Sequence, residues 1–414
     1  MEGDVTMFVA IMGYGVIGSG VAAVLKQNQE KICKRTGLDS IEVKYILDLR
    51  TFPGDPNEHL VTSDFNKIVN DPEVKIVVET MGGTKPAFDF VLACLNAGKS
   101  VVTSNKELVA AKGYELLKAA KDNNVNFMFE ASVGGGITII RPLTRCLAAN
   151  EINEIAGILN GTTNFILTKM ITEGMSFEDA LAVAQKLGYA ERDPSADVDG
   201  YDALRKICIL ASLCYGKHVY PEGIHVEGIR GITAQDVAYA KSIDSVIKLI
   251  GSASAIEGSD KINIMVSPAI IKNGSQLAST NDVFNAVLVR GNMVDDVVFY
   301  GRGAGSLPTA SAVVADVMDC AINSDKTKPF GWEDSTESNA APYSDFVAPF
   351  YVRMAGDKAK VDAAFGAAIK YITCENAPCD EIAFTAEPMA VKDLEAKLKV
   401  TGADVKSVIR ITDY

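Results

Sequence analysis

The stretch FVAIMGYGVIG, residues 8–18, sets a short apolar run directly before three glycines, Gly13, Gly15 and Gly18. FVAIM reads as a buried strand, and VIGSGVAAVLKQ (16–27) continues as a helix. A bare G-x-G-x-x-G says little. Strand, glycines and helix in that order describe a tight turn whose backbone approaches a pyrophosphate at a helix N-terminus. The competing reading is a glycine-rich turn that holds nothing. Outward from this point, IEVKYIL (41–47), VKIVVET (74–80) and KSVVTS (99–104) read as further strands, with helical stretches such as FDFVLACLNAG (88–98) between them. Alternation of this kind predicts an α/β Rossmann domain, a doubly wound parallel sheet. Asp48, in LDLR, closes the second strand beyond an insertion, QNQEKICKRTGLDS (27–40). A carboxylate there takes the adenosine ribose hydroxyls and repels an extra phosphate, which favours NAD over NADP. Arg50, two residues on, is placed to accept that phosphate, so NAD and NADP both stay open. The plain alternative for Asp48 is a strand-end turn residue.

The 414 residues exceed one core, and 48% of them are hydrophobic, as in a globular enzyme. A formal net charge of -13 argues against nucleic acid or an anionic membrane as partner. No apolar run reaches the ~20 residues that cross a bilayer. The opening MEGDVTMFVAIMGYG has neither a basic n-region nor a cleavage site, so the expectation is a cytoplasmic protein. Eight scattered cysteines form no CxxC pair, and most sit in apolar helical patterns, which reads as reduced core thiols. His59, His218 and His225 have no metal-ligand spacing, so a zinc site and a histidine relay are both poorly supplied.

A second stretch carries chemistry. GYAERDPSADVDGYDALRK, residues 188–206, crowds Glu191, Asp193, Asp197, Asp199 and Asp202 ahead of Lys206, and the apolar ICILASLC follows. SFEDALAVAQKLG (176–188) reads as a helix capped by Ser176 with Asp179. Asp199 reads as the next N-cap, with Asp202 in the first turn. The bland reading is an i, i+4 salt bridge with carboxylates favoured by the helix dipole. Lys206, however, shares a helix side with Leu210 and Leu213, while Arg205 and Ser212 mark the polar side. An ammonium on an apolar side needs partners and can exchange a proton. Lys106, just past the strand in VVTSNKELVA (101–110), stands at the sheet edge where ligands bind.

The run A-x3-G-Y-A-x2-D-P-x2-D-V-x-G-x-D-x3-K, Ala184 to Lys206, resembles the signature of the homoserine dehydrogenase family. VVTSNKELVA, EASVGGGI (130–137), ILNGTTNFIL (158–167) and GRGAGSLPTASAVVADV (301–317) resemble family segments in family order. The resemblance implies reversible NAD(P)-dependent interconversion of L-homoserine and L-aspartate 4-semialdehyde. It assigns Lys206 to proton transfer, Asp202 to its support and to substrate, and Glu191 and Asp197 to substrate. By the same resemblance, Gly161 and Thr162 would form a substrate-contacting turn, and Lys106 would lie between substrate and nicotinamide. Gly13, Gly15, Val16, Ile17, Gly18, Asp48, Met81, Ser104 and Gly303 are the residues expected to face the cofactor. The resemblance also implies that backbone carbonyls of Glu130, Val133, Gly135 and Ile137 wrap a monovalent cation such as sodium. The sequence departs from the family at Thr138 (usually proline), at Ser306 (usually glycine) and at Asp48 (often arginine, which selects NADP).

The expected organisation is a nucleotide domain over 1–132, completed by a helix within 303–322, and an α+β substrate and dimerisation domain over 133–302. A polar linker over 323–345 leads to a third domain over 346–414. There FYVRM, DKAKVDAAFGAAIKY, a strand between Lys370 and Cys374, EIAFTA, VKDLEAKLKV and VKSVIRIT give βαββαβ. This order resembles an ACT domain, which implies an amino-acid effector, although its first turn reads AGDKAK where proline-glycine is usual. A chain cut near Ala340 is then expected to keep catalysis. A homodimer or homotetramer is expected. Two alternatives differ in class. A semialdehyde dehydrogenase needs a cysteine nucleophile, and Cys146 has no paired histidine. A non-catalytic NAD-sensing regulator would not require Lys106, Asp202 and Lys206 together.

Overall fold

The computed structural model describes residues 6–335, 338–375 and 377–414. The first residues of the opening stretch, and residues 336 and 337 of the linker, lie outside the described residues. The chain divides into two compact units. The first holds the chain up to Ala149, Ser212–Tyr220, and the stretch from Arg302 into the linker. The second holds Asn150–Ala211, Pro221–Gly301 and the chain from residue 338 onward. Residues 133–149, assigned by linear reading to the middle domain, therefore pack with the nucleotide unit.

The first unit is built on β1 (Thr6–Met12), β2 (Ser40–Leu47), β3 (Val61–Thr62), β4 (Val74–Glu79), β5 (Ser100–Thr103) and β6 (Phe127–Met128). They pair in parallel in the order β3-β2-β1-β4-β5-β6. The order reverses between β1 and β4, and ligands bind at that switch point in open parallel sheets. Strand residues such as Val9, Ile11, Ile46 and Val78 are fully buried because helices cover the sheet. The helix Ser306–Ile322 completes this unit, packing Ala310, Val313, Val314 and Val317 into the same core as Val21 and Leu25 of helix Val16–Gln27. Each such valine or leucine side chain contributes roughly 1.5–3 kcal/mol.

The second unit continues with β7 (Ile152–Ile158), β8 (His225–Val226), β9 (Ser245–Ala255), β10 (Ile262–Lys272), β11 (Phe284–Gly291) and β12 (Asp295–Arg302). The tail adds β13 (Val347–Ala355), β14 (Ile369–Ile372), β15 (Glu381–Ala390) and β16 (Asp404–Thr412). With helices Lys358–Phe365 and Val391–Thr401 the tail has the βαββαβ order. The expected helix through Tyr371 stops at Phe365, where Gly366 (φ +60) turns the chain into β14.

The tail is not separate. Its β16 pairs in parallel with β10, so one mixed sheet runs β12-β11-β7-β9-β10-β16-β13-β15-β14, with β8 also on β10. Arg410 reaches Ser252 Oγ (3.0 Å) and the Ile250 carbonyl (3.1 Å), and the Tyr414 hydroxyl donates to Glu154 (2.7 Å). This joint bears on the expectation that a chain cut near Ala340 keeps catalysis, because the cut strips β10 of a neighbour. The reading of the cysteines as core thiols is corrected at Cys146 and Cys379, which are exposed; Cys94, Cys208 and Cys320 are buried. Among the described residues no helix is long and apolar enough to cross a membrane, and no cluster of histidine, cysteine or carboxylate side chains could hold a metal.

Candidate active site

In the first unit the glycine turn is shaped by contacts that forbid side chains. Gly13 takes φ +93, its N–H donates to the Leu47 carbonyl (2.8 Å), and its carbonyl accepts from Thr80 Oγ1 (2.8 Å). A Cβ on Gly18 would stand 2.0 Å from the Gly13 carbonyl oxygen. Gly15 then begins helix Val16–Gln27, whose first residue is exposed. Beside this turn lies a cavity of about 500 Å³, lined in part by Gly13, Gly15, Asp48, Arg50, Met81 and Phe90. A glycine cradle, a free helix N-terminus and this volume fit a dinucleotide.

Asp48 is engaged more fully than a strand-end turn residue would be. Its carboxylate accepts the Tyr14 N–H (2.8 Å) and two guanidinium bonds from Arg50 (3.0 and 2.8 Å). The Arg50 guanidinium holds this carboxyl well below the usual range. A carboxylate and a guanidinium are thus paired at one rim of the cavity, acid inside and base outside.

The floor beside Met81 and Ser104 depends on Glu79, which the sequence reading passes over. This fully buried carboxylate accepts from Met81 N (2.7 Å) and Thr103 Oγ1 (2.6 Å). Thr103 Oγ1 also accepts the Asn105 N–H (2.9 Å), and Asn105 caps the helix that Lys106 opens. Burial pushes the Glu79 carboxyl up. The visible signal was an acid ending the apolar run VKIVVE. Lys106 itself is half-buried.

The 130–137 stretch curls tightly in the same unit. A Cβ on Gly135 (φ +56) would meet the Gly303 carbonyl at 2.3 Å. The Glu130 side chain is committed elsewhere, accepting the backbone N–H groups of Ile139, Ile140 and Arg141 (2.6–2.8 Å). Its own N–H donates to Asp316 (2.8 Å), which also accepts from Arg141 (2.6 Å). His218 is buried, its ring meeting the Ala110 carbonyl and the Tyr114 N–H, which is a structural use.

In the second unit Lys206 is buried, and its Nζ donates to Asp202 Oδ2 (2.8 Å) and the Leu159 carbonyl (2.8 Å). The Asn160 amide then bridges Asp202 (2.9 Å) and Asp197 (2.7 Å). Asn160 Oδ1 meanwhile accepts Thr163 N (2.8 Å), capping helix Gly161–Glu173. One side chain therefore gathers two carboxylates and caps the helix that Gly161 and Thr162 open, and Lys206 joins through Asp202. Asn160 lay unremarked inside ILNGTTNFIL; an Asn closing a strand just before a helix was the signal. Thr162 Oγ1 donates to the Tyr189 carbonyl (2.6 Å), tying the turn to the acidic loop. Glu191 is exposed on that loop, its carbonyl accepting from Gln185 (3.0 Å).

Two assignments around the cluster change. Asp199 does not begin the helix Tyr201–Tyr215; its carboxylate pairs with Arg230 (2.5 Å). Ser212, read as marking a polar side, is fully buried, its Oγ accepting the Val219 N–H (2.9 Å).

Residues 139–318 match the family model described as homoserine dehydrogenase, and 13–130 match its NAD binding domain. A homoserine dehydrogenase of Synechocystis sp. is 44% identical over 84% of this chain and 82% of its own. That of Bacillus subtilis is 41% identical over 75% of this chain and 72% of its own. The crystal structure of a Thiobacillus denitrificans homoserine dehydrogenase superposes with a TM-score of 0.89 at 34% identity, covering 99% of this chain and 98% of the other. A hyperthermophilic archaeal homoserine dehydrogenase in complex with NADPH aligns with a TM-score of 0.65 at 28% identity, over 77% of this chain and 98% of its own. On these matches the chain belongs to the homoserine dehydrogenase family, NAD(P)-dependent oxidoreductases that act on a CH–OH group.

Proposed function

We propose that the chain interconverts L-homoserine and L-aspartate 4-semialdehyde, with Lys206 carrying the proton. The observation behind this reading is the cluster in which Asn160 and Asp202 direct a buried ammonium. The nicotinamide, when bound, supplies hydride acceptance and donation. The chain's own residues position the alcohol and move its proton. Lys206 has two acceptors in Asp202 and Leu159, and an ammonium has a third N–H to offer the substrate oxygen. In reduction the ammonium gives that proton to the aldehyde oxygen; in oxidation the neutral amine takes the hydroxyl proton. Oxidation of the alcohol releases one proton overall, so its equilibrium advances as pH rises. Asp202 orients and charge-balances the lysine, while Asp197 and Glu191 take the substrate ammonium. Gly161 and Thr162 contact the substrate, and Lys106, at the edge of the parallel sheet, faces the nicotinamide.

The cofactor-facing set is Gly13, Gly15, Val16, Ile17, Gly18, Asp48, Met81, Ser104, Lys106 and Gly303. The Asp48–Arg50 pair supports use of NAD with NADP admitted at a cost, because a phosphate must draw Arg50 from Asp48. The curl of 130–137 supports a monovalent cation on the carbonyls of Glu130, Val133, Gly135 and Ile137. The tail sheet order β16-β13-β15-β14, fourth-first-third-second of its strands, supports an ACT-like module binding an amino-acid effector. Exposed Met293 and Tyr300 beside and on edge strand β12 suit a homodimer or homotetramer. The test is reduced-nicotinamide formation from L-homoserine with each cofactor. No turnover with either would refute the activity.

A further inference from the structure

Among the described residues, the proposed chemistry leaves two buried lysines unused, Lys99 and Lys248. Lys248, within β9, is 0% exposed. Its Nζ donates to the Thr280 carbonyl (2.5 Å), Asn281 Oδ1 (3.1 Å) and Asn164 Oδ1 (3.2 Å). All three acceptors are neutral. Asp282 supports its charge only through the field, and burial brings the ammonium down to about 8. An ammonium buried on neutral partners costs folding free energy, so stability alone is a poor reason for a lysine here.

What it grips is the 280–284 turn between β10 and β11. Asn164 Nδ2 faces the carbonyls of Thr280, Asp282 and Phe284, each at 3.1 Å. Asp282 takes φ +55, a left-handed conformation uncommon outside glycine, and its N–H donates to Thr168 Oγ1 (3.0 Å). Asn164 and Thr168 both belong to helix Gly161–Glu173. The Val283 carbonyl lies 2.8 Å from where a Cβ on Gly161 would stand, so the turn presses on the first residue of that helix. Asn160, which gathers Asp197 and Asp202, is the residue before.

We propose that Lys248 is a positioning residue for the reaction: it clamps the 280–284 turn onto helix Gly161–Glu173, and so fixes how Asn160 presents Asp197, Asp202 and Lys206. The inference rests on the reading of that cluster as the homoserine site. A positioning error of about 1 Å costs up to about 10²-fold in rate. Full-length Lys248→Met should therefore lose roughly 10–100-fold in kcat/KM for L-homoserine. Cofactor affinity, followed by the fluorescence of bound NADH, should stay within about twofold, because the cofactor-facing residues lie outside the clamp. Asn164→Asp offers Lys248 a carboxylate but removes the amide donors, and should show the same split. Unchanged homoserine kinetics in either folded variant would overturn the proposal. So would an equal loss of NADH affinity, or failure of both variants to fold, since either marks a merely structural lysine. Lys206→Ala tests the site reading separately: if that variant keeps wild-type turnover, the site reading falls and the clamp falls with it.

Discussion

The glycine turn of the first unit and the acidic cluster of the second are built by opposite means. The turn is a backbone object, held in a span of six residues by the close approach of Gly13 and Gly18. The cluster is a side-chain object. Asn160 comes from the end of β7, Asp197 from the short helix Ser195–Val198, and Asp202 and Lys206 from the helix that follows. A backbone object is legible in a local pattern of strand, glycine and helix. A side-chain object becomes legible only when one knows which residue stands between the charges.

The tail extends this contrast, and breaking it should have the largest effect. A chain ending at Ala340 removes β16 and uncovers the backbone of β10 from Ala269 to Ile271. All three residues are fully buried. Such an edge invites aggregation. The expected outcome is complete loss of soluble, active protein. A soluble truncated chain with wild-type turnover would show that the joint is dispensable.

Within the second unit, Lys206→Ala should cost about 10²–10⁴ in kcat, the usual worth of a general acid-base group. Binding of NADH, measured by fluorescence, should not change. A rate within a few fold of wild type would remove Lys206 from the chemistry.

A matched pair sharpens the comparison directly. Gly18→Val drives a side chain into the Gly13 carbonyl and should weaken cofactor binding roughly 10–100-fold, with little effect on the homoserine site. Asn160→Ala should do the reverse, raising KM for L-homoserine or lowering kcat by a similar factor. It unties Asp197 from Asp202 and uncaps the Gly161–Glu173 helix. If both variants shift cofactor and substrate constants together, the two halves are not independent.

Asp48→Arg addresses the rim of the cavity. It replaces an acceptor of ribose hydroxyls by a second guanidinium, exchanging one charge-assisted bond worth about 1.5–3 kcal/mol for another. The ratio of kcat/KM for NADP over NAD should rise by roughly tenfold or more. A constant ratio would move selection to Arg50, whose guanidinium is released once Asp48 is gone.

The parallel sheet was legible because each strand is an apolar run closed by a turn, and β1, β2, β4 and β5 are read directly. The mixed sheet was legible only in pieces. EINEIAGIL (151–159) and INIMVSP (262–268) carry the apolar runs of β7 and β10, yet no local pattern says that residue 410 lies beside residue 269. Pairing at such separation is set by which apolar faces remain uncovered, which a window of residues does not contain. The charged residues divide in the same way. Lys206 stood out for its place on an apolar helix side, and Asp48 for its place after a strand. Glu79 and Asn160 carried only a local signal, an acid ending an apolar run and an Asn before a helix, while their partners Thr103, Asp197 and Asp202, like those of Lys248, lie far away in sequence.

The smallest expected effect lies at the chain's end. Tyr414 is buried, and its hydroxyl donates to Glu154 (2.7 Å), which also accepts from Arg290 (3.0 Å). Tyr414→Phe keeps the ring in the core it shares with Ile158, Ile250 and Leu288 and removes only the hydrogen bond. A bond to a charged group contributes about 1.5–3 kcal/mol, and Arg290 remains to balance Glu154, so the cost should fall at or below the lower bound. The urea midpoint of the second unit should drop accordingly, while KM for cofactor and for L-homoserine stay unchanged. An altered substrate constant would mean that the tail reaches the reaction through β7, whose far end carries Leu159 and Asn160 to Lys206. An unchanged midpoint would instead make the last residue a passenger on the sheet.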